Sequence, residues 1–159
     1  MANTRRASAV GIPAPEKIMS LTTELQLMLD TYSEDFRARD VQACLAFFDE
    51  DCKVITPRGV FRGRSQVEQL HEFWIENHTE REMQVQQIDS IGDHVYAIWR
   101  FRDQVPDAGT GQSKTFEGTA LGVIRLDPDH GWLIVACSSN LDCQQADLPM
   151  ELTPTKAVA

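Results

Sequence analysis

Apolar residues recur at helical spacing in three places in the first half of the chain. Leu25, Met28, Leu29, Tyr32 and Phe36 fall on one face of a helix over 21–38. Thr22 or Thr23 can cap its start. Asp40 caps a second helix whose stripe is Val41, Cys44, Leu45 and Phe48. Ser65 opens a third, with Val67, Leu70, His71 and Trp74 on one face. Between the last two, Lys53 to Thr56 reads as a short strand stopped by Pro57, and Arg58-Gly59 with Gly63 marks a tight turn around Val60 and Phe61. After Asn77 the period changes from helical to alternating. Residues 83–88, 94–103, 114–126 and 132–141 read as strands, separated by Ile91-Gly92-Asp93, the loop VPDAGTGQS and the turn DPDHG. Helices followed by an antiparallel meander predict an α+β domain with the helices packed on one face of the sheet.

The chain has 159 residues, which suits one domain with a full core. Residues 1–20, rich in Ala, Ser and Pro, read as a flexible N-terminal arm; 21–143 is the working domain and 144–159 a C-terminal tail. The net charge of −9 excludes nucleic acid as a partner, because phosphate binding needs a basic surface. No run approaches the ~20 apolar residues of a membrane span. The N-terminus has no sustained apolar stretch of the secretory kind, so the expected location is cytoplasmic. The cysteines at 44, 52, 137 and 143 form no CxxC pair and have no His at zinc-ligand spacing, which predicts free thiols. Asp49-Glu50-Asp51 lacks the spaced oxygens of a calcium loop. Neither a metal nor a cofactor is expected.

What chemistry the pattern offers lies on the apolar faces. Tyr32 and His71 are polar side chains aimed at one core, which points to a pocket beneath the helices. One face of strand 114–126 carries Phe116, Gly118, Ala120, Gly122 and Ile124, so the glycines mark either a crease in a bent sheet or open space. On the last strand Ile134, Ala136, Ser138 and Asn140 share a face, which would put Ser138 and Asn140 at the cavity mouth. On strand 94–103, Tyr96, Ile98, Arg100 and Arg102 share one face and Trp99 and Phe101 the other. Alternation alone leaves open which face is inward. Trp74 reads as core or pocket wall. His78, His94 and His130 read as surface residues, and Asp103 ends its strand within reach of the mouth.

The stretch LDTYSEDFRARDVQACLAFFDEDCKVITPRGVFRGRSQVEQLHEFW, with the closing GWLIVACS, resembles the nuclear transport factor 2-like superfamily. That is the cone-shaped, cystatin-like fold of ketosteroid isomerase, SnoaL-type polyketide cyclases and the calcium/calmodulin kinase association domain. The resemblance spans about 21–141 and implies three N-terminal helices packed on a strongly curved antiparallel sheet. Set beside ketosteroid isomerase, Tyr32 falls at the oxyanion-stabilising tyrosine and His71 at a second tyrosine bonded to it. Thr56 stands where that family has its general base, and Gly122 where it has a protonated aspartic acid. Steroid isomerisation is thereby excluded. SnoaL-type cyclases use a pocket His and Asp, and His71 is the counterpart of the His. The kinase association domain has a pocket arginine near Arg100, which favours Arg100 inward with an anionic ligand.

The resemblance therefore implies an isomerase, cyclase or dehydratase acting on a polyketide-like or cyclic carbonyl substrate. Tyr32 would stabilise developing negative charge, and His71 would tune that tyrosine or shuttle a proton. Thr56, Trp74, Tyr96, Arg100, Phe116, Gly122, Ser138 and Asn140 would line a site for a hydrophobic or anionic small molecule. The alternative is a non-catalytic ligand-binding or dimerisation module. A homodimer is expected through the sheet face bearing Trp99, Phe101, Leu121 and Val123.

Overall fold

Each predicted helical stripe is a buried face in the computed structural model, which describes residues 15–143, 149 and 151–155. Helix α1 (Pro15–Arg37) buries Leu25, Met28, Leu29, Tyr32 and Phe36. It begins at Pro15 rather than at residue 21, so 15–20 belongs to the helix; the rest of the expected arm, 1–14, lies outside the described residues. Asp40 accepts a hydrogen bond from the Ala43 amide at 3.0 Å and starts α2 (Val41–Leu45). Phe48, expected on the stripe of that helix, instead opens strand β1 (Phe48–Thr56). A hairpin leads to β2 (Gly59–Arg62), and α3 (Gly63–Asn77) buries Val67, Leu70, His71 and Ile75. Strands β3 (Glu80–Ile91), β4 (His94–Pro106), β5 (Ser113–Asp127) and β6 (Gly131–Leu141) follow.

The six strands form one curved sheet in the order β2-β1-β6-β5-β4-β3. Neighbours are antiparallel except β1 and β6, which run parallel. The helices cover the concave face.

Strand β4 decides what that face contains. Val95, Ala97, Trp99, Phe101 and Asp103 are buried, whereas Tyr96, Ile98, Arg100 and Arg102 lie on the other side. Arg100, expected in the pocket, is thus on the outer face. It donates to Thr119 Oγ1 at 3.0 Å and pairs with Asp142 at 2.5 Å and Glu117 at 3.7 Å. Tyr96 is outside as well, its hydroxyl bonded to Asp89 at 3.2 Å. Burial of two large aromatic rings releases far more apolar surface from water than an arginine stem can, so Trp99 and Phe101 take the inside. The expected dimer face loses these two residues and keeps Leu121 and Val123.

Strand β6 differs for another reason. Ile124 pairs with Ile134 but Val123 pairs with Ala136, so Val135 is an extra residue at a bulge. Beyond it the side chains change face. Cys137, Ser139 and Leu141 turn inward, and Ser138 and Asn140, expected at the cavity mouth, turn outward.

The glycines of β5 make room for rings. A Cβ on Gly118 would sit 2.4 Å from Phe101 Cζ, and one on Gly122 2.4 Å from Trp99 Cη2. Gly122 is therefore the seat of Trp99 and not part of the cavity wall. Gly118 is tighter still, because its Cβ would also lie 2.3 Å from the Asn140 carbonyl oxygen. Backbone cannot step aside as a side chain can. Gly118→Ala is predicted to cost about 1–3 kcal/mol by overpacking. Urea unfolding reads this directly, and an unchanged midpoint contradicts it.

Candidate functional site

Helices α1 and α3 close over the concave sheet and leave a cavity of about 90 Å³. Its wall is largely apolar, with Met28, Leu29, Phe48, Trp99, Phe101 and Phe116 among the residues lining it. Of the residues expected there, Tyr32, Thr56, Trp74 and Phe116 line it. Tyr96, Arg100, Gly122, Ser138 and Asn140 do not, for the reasons of strand parity and packing given above. His71 sits beneath Tyr32 and not in the wall.

Tyr32 and His71 are bonded, with the hydroxyl 2.9 Å from His71 Nε2. The direction of that bond follows from the other ring nitrogen. His71 Nδ1 lies 2.8 Å from the Val67 carbonyl, which can only accept, so Nδ1 carries the proton. Nε2 is then the acceptor, and the Tyr32 hydroxyl donates to it. The phenol's one proton is thus committed, and the Tyr32 oxygen can act only as an acceptor toward further partners such as the Arg81 guanidinium. Burial pushes the Tyr32 hydroxyl well above its ordinary pKa, against the opposing charge of Arg81. Burial likewise pushes His71 down to about 4, aided by Arg81 and only partly opposed by the Val67 bond. His71 is neutral, enclosed and satisfied at both nitrogens.

A second polar cluster lies in the cavity wall. Arg81, on β3, donates from Nε and Nη2 to the two oxygens of Asp103, on β4, at 2.8 and 2.7 Å. Its guanidinium lies over the Trp74 ring at 4.4 Å and the Phe36 ring at 5.0 Å. His78, the residue after α3, places Nδ1 3.2 Å from Asp103 Oδ2. All three side chains are buried. Burial would raise the Asp103 carboxyl, but the Arg81 charge and the bonds from Arg81 and His78 outweigh it and hold the group at about 2. Asp103 therefore stays ionised, and in neutral His78 the proton lies on Nδ1. Its Nε2 has no partner among the described residues.

The sequence places His78 on the surface and Asp103 only near the mouth, and its predicted strand over 83–88 does not single out Arg81. A signal for Arg81 existed: Arg81, Met83 and Val85 alternate on one face, so a strand begun at Glu80 instead of Met83 puts an arginine among inward residues. Cys137 also lines the cavity, but burial pushes its thiol up to about 12 and keeps it protonated, which leaves it a poor nucleophile. The C-terminal residues Pro149, Glu151 and Leu152 complete the lining. Among the described residues, no three His, Cys, Asp or Glu side chains group as a metal site, and no helix is long and apolar enough to cross a membrane.

Residues 29–131 match the family model of the SnoaL-like domain. The chain belongs to the SnoaL-like family. No curated protein is similar enough in sequence to match it. Solved structures carry the same fold at low identity. A nuclear transport factor 2-like superfamily protein from Salmonella enterica serovar Typhimurium is 19% identical, with a TM-score of 0.67 over 80% of this chain and 94% of that one. A ketosteroid isomerase-like protein from Erwinia carotovora atroseptica is 13% identical, with a TM-score of 0.66 over 82% and 100%. A protein of unknown function with a cystatin-like fold from Nostoc punctiforme is 14% identical, with a TM-score of 0.58 over 75% and 90%. The SnoaL-like chain thus has the cone-shaped, cystatin-like architecture that its sequence resembles, which supports a small-molecule-binding or isomerase-type domain.

Two outcomes follow for the polar clusters. Asp103→Asn removes the carboxylate from a buried guanidinium and is predicted to cost about 3–5 kcal/mol in urea unfolding; a loss below 1 kcal/mol contradicts the pairing. His71 makes stability depend on pH. The folded protein holds it at about 4 against an ordinary 6.5, so the unfolded chain takes up the proton first as pH falls. Stability is then lost from pH 6.5 down to pH 4, by about 3 kcal/mol in all. His71→Gln is predicted to flatten that part of the stability profile. An equal slope in both proteins contradicts the assignment.

Proposed function

We propose that this protein is an acid/base enzyme that needs no cofactor, an isomerase, cyclase or dehydratase acting on a compact cyclic carbonyl compound. The observation that carries this reading is His78. Its Nδ1 is engaged by an ionised carboxylate, Nε2 lacks a partner among the described residues, and the side chain lies in the wall of an apolar cavity. A proton-transferring group oriented by a second group is the arrangement that general acid/base chemistry requires. In its protonated form, with Nδ1 held by Asp103, His78 donates from Nε2 to the carbonyl oxygen as negative charge develops there. Arg81 is a positioning residue in this scheme, because it fixes Asp103.

The cavity's size and charge narrow the substrate. About 90 Å³ is below the roughly 300–1,000 Å³ of pockets for drug-sized ligands, which favours one ring over a multi-ring polyketide. The arginine in the wall already carries its own carboxylate, which favours a neutral ligand over an anionic one. Tyr32 and His71 hold the wall in shape rather than transfer the proton, and Thr56 borders the ligand. The homodimer is proposed through the outer sheet face, where Ile98, Leu121 and Val123 lie together. The four free thiols support a reducing, cytoplasmic setting.

A second reading is a binding module that holds such a ligand without changing it. The closed Tyr32–His71 pair favours it, since neither group is poised to react. Deuterium exchange at the carbons beside the carbonyl of cyclopentanone, followed by proton NMR in D₂O, separates the two. The enzyme reading expects exchange well above buffer, slowed about 10²–10⁴-fold in His78→Gln. Exchange at full rate in that variant contradicts the role of His78. Binding with no exchange by the intact protein leaves the module.

A further inference from the structure

The acid assigned to His78 needs a base on the other side of the ligand, and the described residues lining the cavity offer two carboxylates. Asp103 is one. It already accepts from Arg81 and His78, and at about 2 it is too weak a base for the task. Glu151 is the other.

Glu151 comes from the C-terminal segment, which is tied across the β1–β2 hairpin. Pro154 sits on Gly59 so closely that a Cβ there would lie 2.9 Å from Pro154 Cγ, and Gly59 has φ +139°. The Thr155 carbonyl accepts from Gln66 Nε2 of α3 at 3.4 Å. Arg58, at the hairpin tip, places Nε 3.7 Å from Glu151 Oε2, too far for a hydrogen bond. Thr56 and Pro57 of the same hairpin line the cavity beside this segment. Glu151 Oε2 is buried and has no hydrogen-bond partner among the described residues. A buried carboxylate oxygen in that state is costly, and buried polar atoms in folded proteins nearly always have a partner. The same side chain lines the cavity, so turning its carboxylate toward a bound ligand would give that oxygen a partner.

We propose that Glu151 is the proton-accepting residue of this site, carried into the cavity by the C-terminal segment, and that its substrate is a carbonyl compound with an acidic C–H beside the carbonyl. The proposal rests on the acid/base reading of His78. The Glu151 carboxylate takes the proton from the carbon next to the carbonyl. The C–H electron pair becomes the carbon–carbon double bond, and the carbonyl π pair moves to the oxygen held by the His78 imidazolium. Return of a proton from Glu151 to the same carbon accounts for the exchange, and its delivery to the far end of an adjoining carbon–carbon double bond completes an isomerisation; in both cases the proton on oxygen goes back to His78 and no other reactant is needed. Burial raises the Glu151 carboxyl above its ordinary value, partly opposed by Arg58, and so brings its basicity closer to working pH.

The same cyclopentanone exchange assay tests this on the full chain. Glu151→Gln is expected to lower the exchange rate at least a hundredfold at neutral pH, with an unchanged melting temperature showing that the fold is kept. Arg58→Gln removes a nearby positive charge and is expected to move the acid limb of the rate–pH profile to higher pH. A purely structural segment would leave that limb in place. Exchange lost in His78→Gln but kept in Glu151→Gln overturns the role of Glu151 and leaves the acid/base reading standing. No exchange by the intact protein overturns both.

Discussion

The buried ion pair of Arg81 and Asp103 is the constraint on which the site depends. Bringing both charges out of water costs several kcal/mol per ion, and only good geometry repays it. Here the geometry is two parallel hydrogen bonds, with the guanidinium also stacked on Trp74 and Phe36. The pair thereby ties the adjoining strands β3 and β4 to both long helices. It also accounts for the electrostatics around it. Arg81 keeps Asp103 ionised, opposes the upward shift of Tyr32 and helps to keep His71 neutral. Asp103 in turn orients His78. An arginine whose charge is already satisfied by Asp103 is the ground for proposing a neutral ligand.

Much of the fold was legible because helical stripes are redundant. Four apolar positions in α1, Leu25, Met28, Leu29 and Phe36, agree on one face, so a single polar residue such as Tyr32 among them does not disturb the assignment. The same agreement aimed Tyr32 and His71 at one core, where they are bonded, though the bond itself was implied by the family resemblance rather than by the stripes. Strands carry less information. In β4 the alternation divides the residues correctly into two sets, yet it does not say which set is inside. Arg100 and Tyr96 therefore lie on the face opposite to the one expected, and the expectation of an anionic ligand loses the residue it rested on. In β6 the extra residue, Val135, reverses the parity of everything after it, and nothing in WLIVACSSNL announces a bulge.

The candidate site was harder to read because its parts lie at element ends. His78 follows α3, Arg81 is the second residue of β3, and Asp103 lies near the end of β4. Periodicity is weakest where an element starts or stops, and each of these residues alone looks like surface polarity. Glu151 was hidden still further, in a segment without periodicity that reads as tail. The glycines of β5 show a related limit. They do make room, as the sequence suggested, but Phe101 and Trp99 fill that room. Membership of the SnoaL-like family fixes the cone and leaves the chemistry to these particular side chains.

The measurement that bears most directly on this account is the ¹⁵N spectrum of the imidazole rings in the intact protein above neutral pH. If Asp103 orients His78 and Val67 orients His71, both neutral rings carry their proton on Nδ1, with Nε2 bare. A His78 ring protonated on Nε2 instead would mean that Asp103 does not hold it, and the proposed acid would lose the group that positions it.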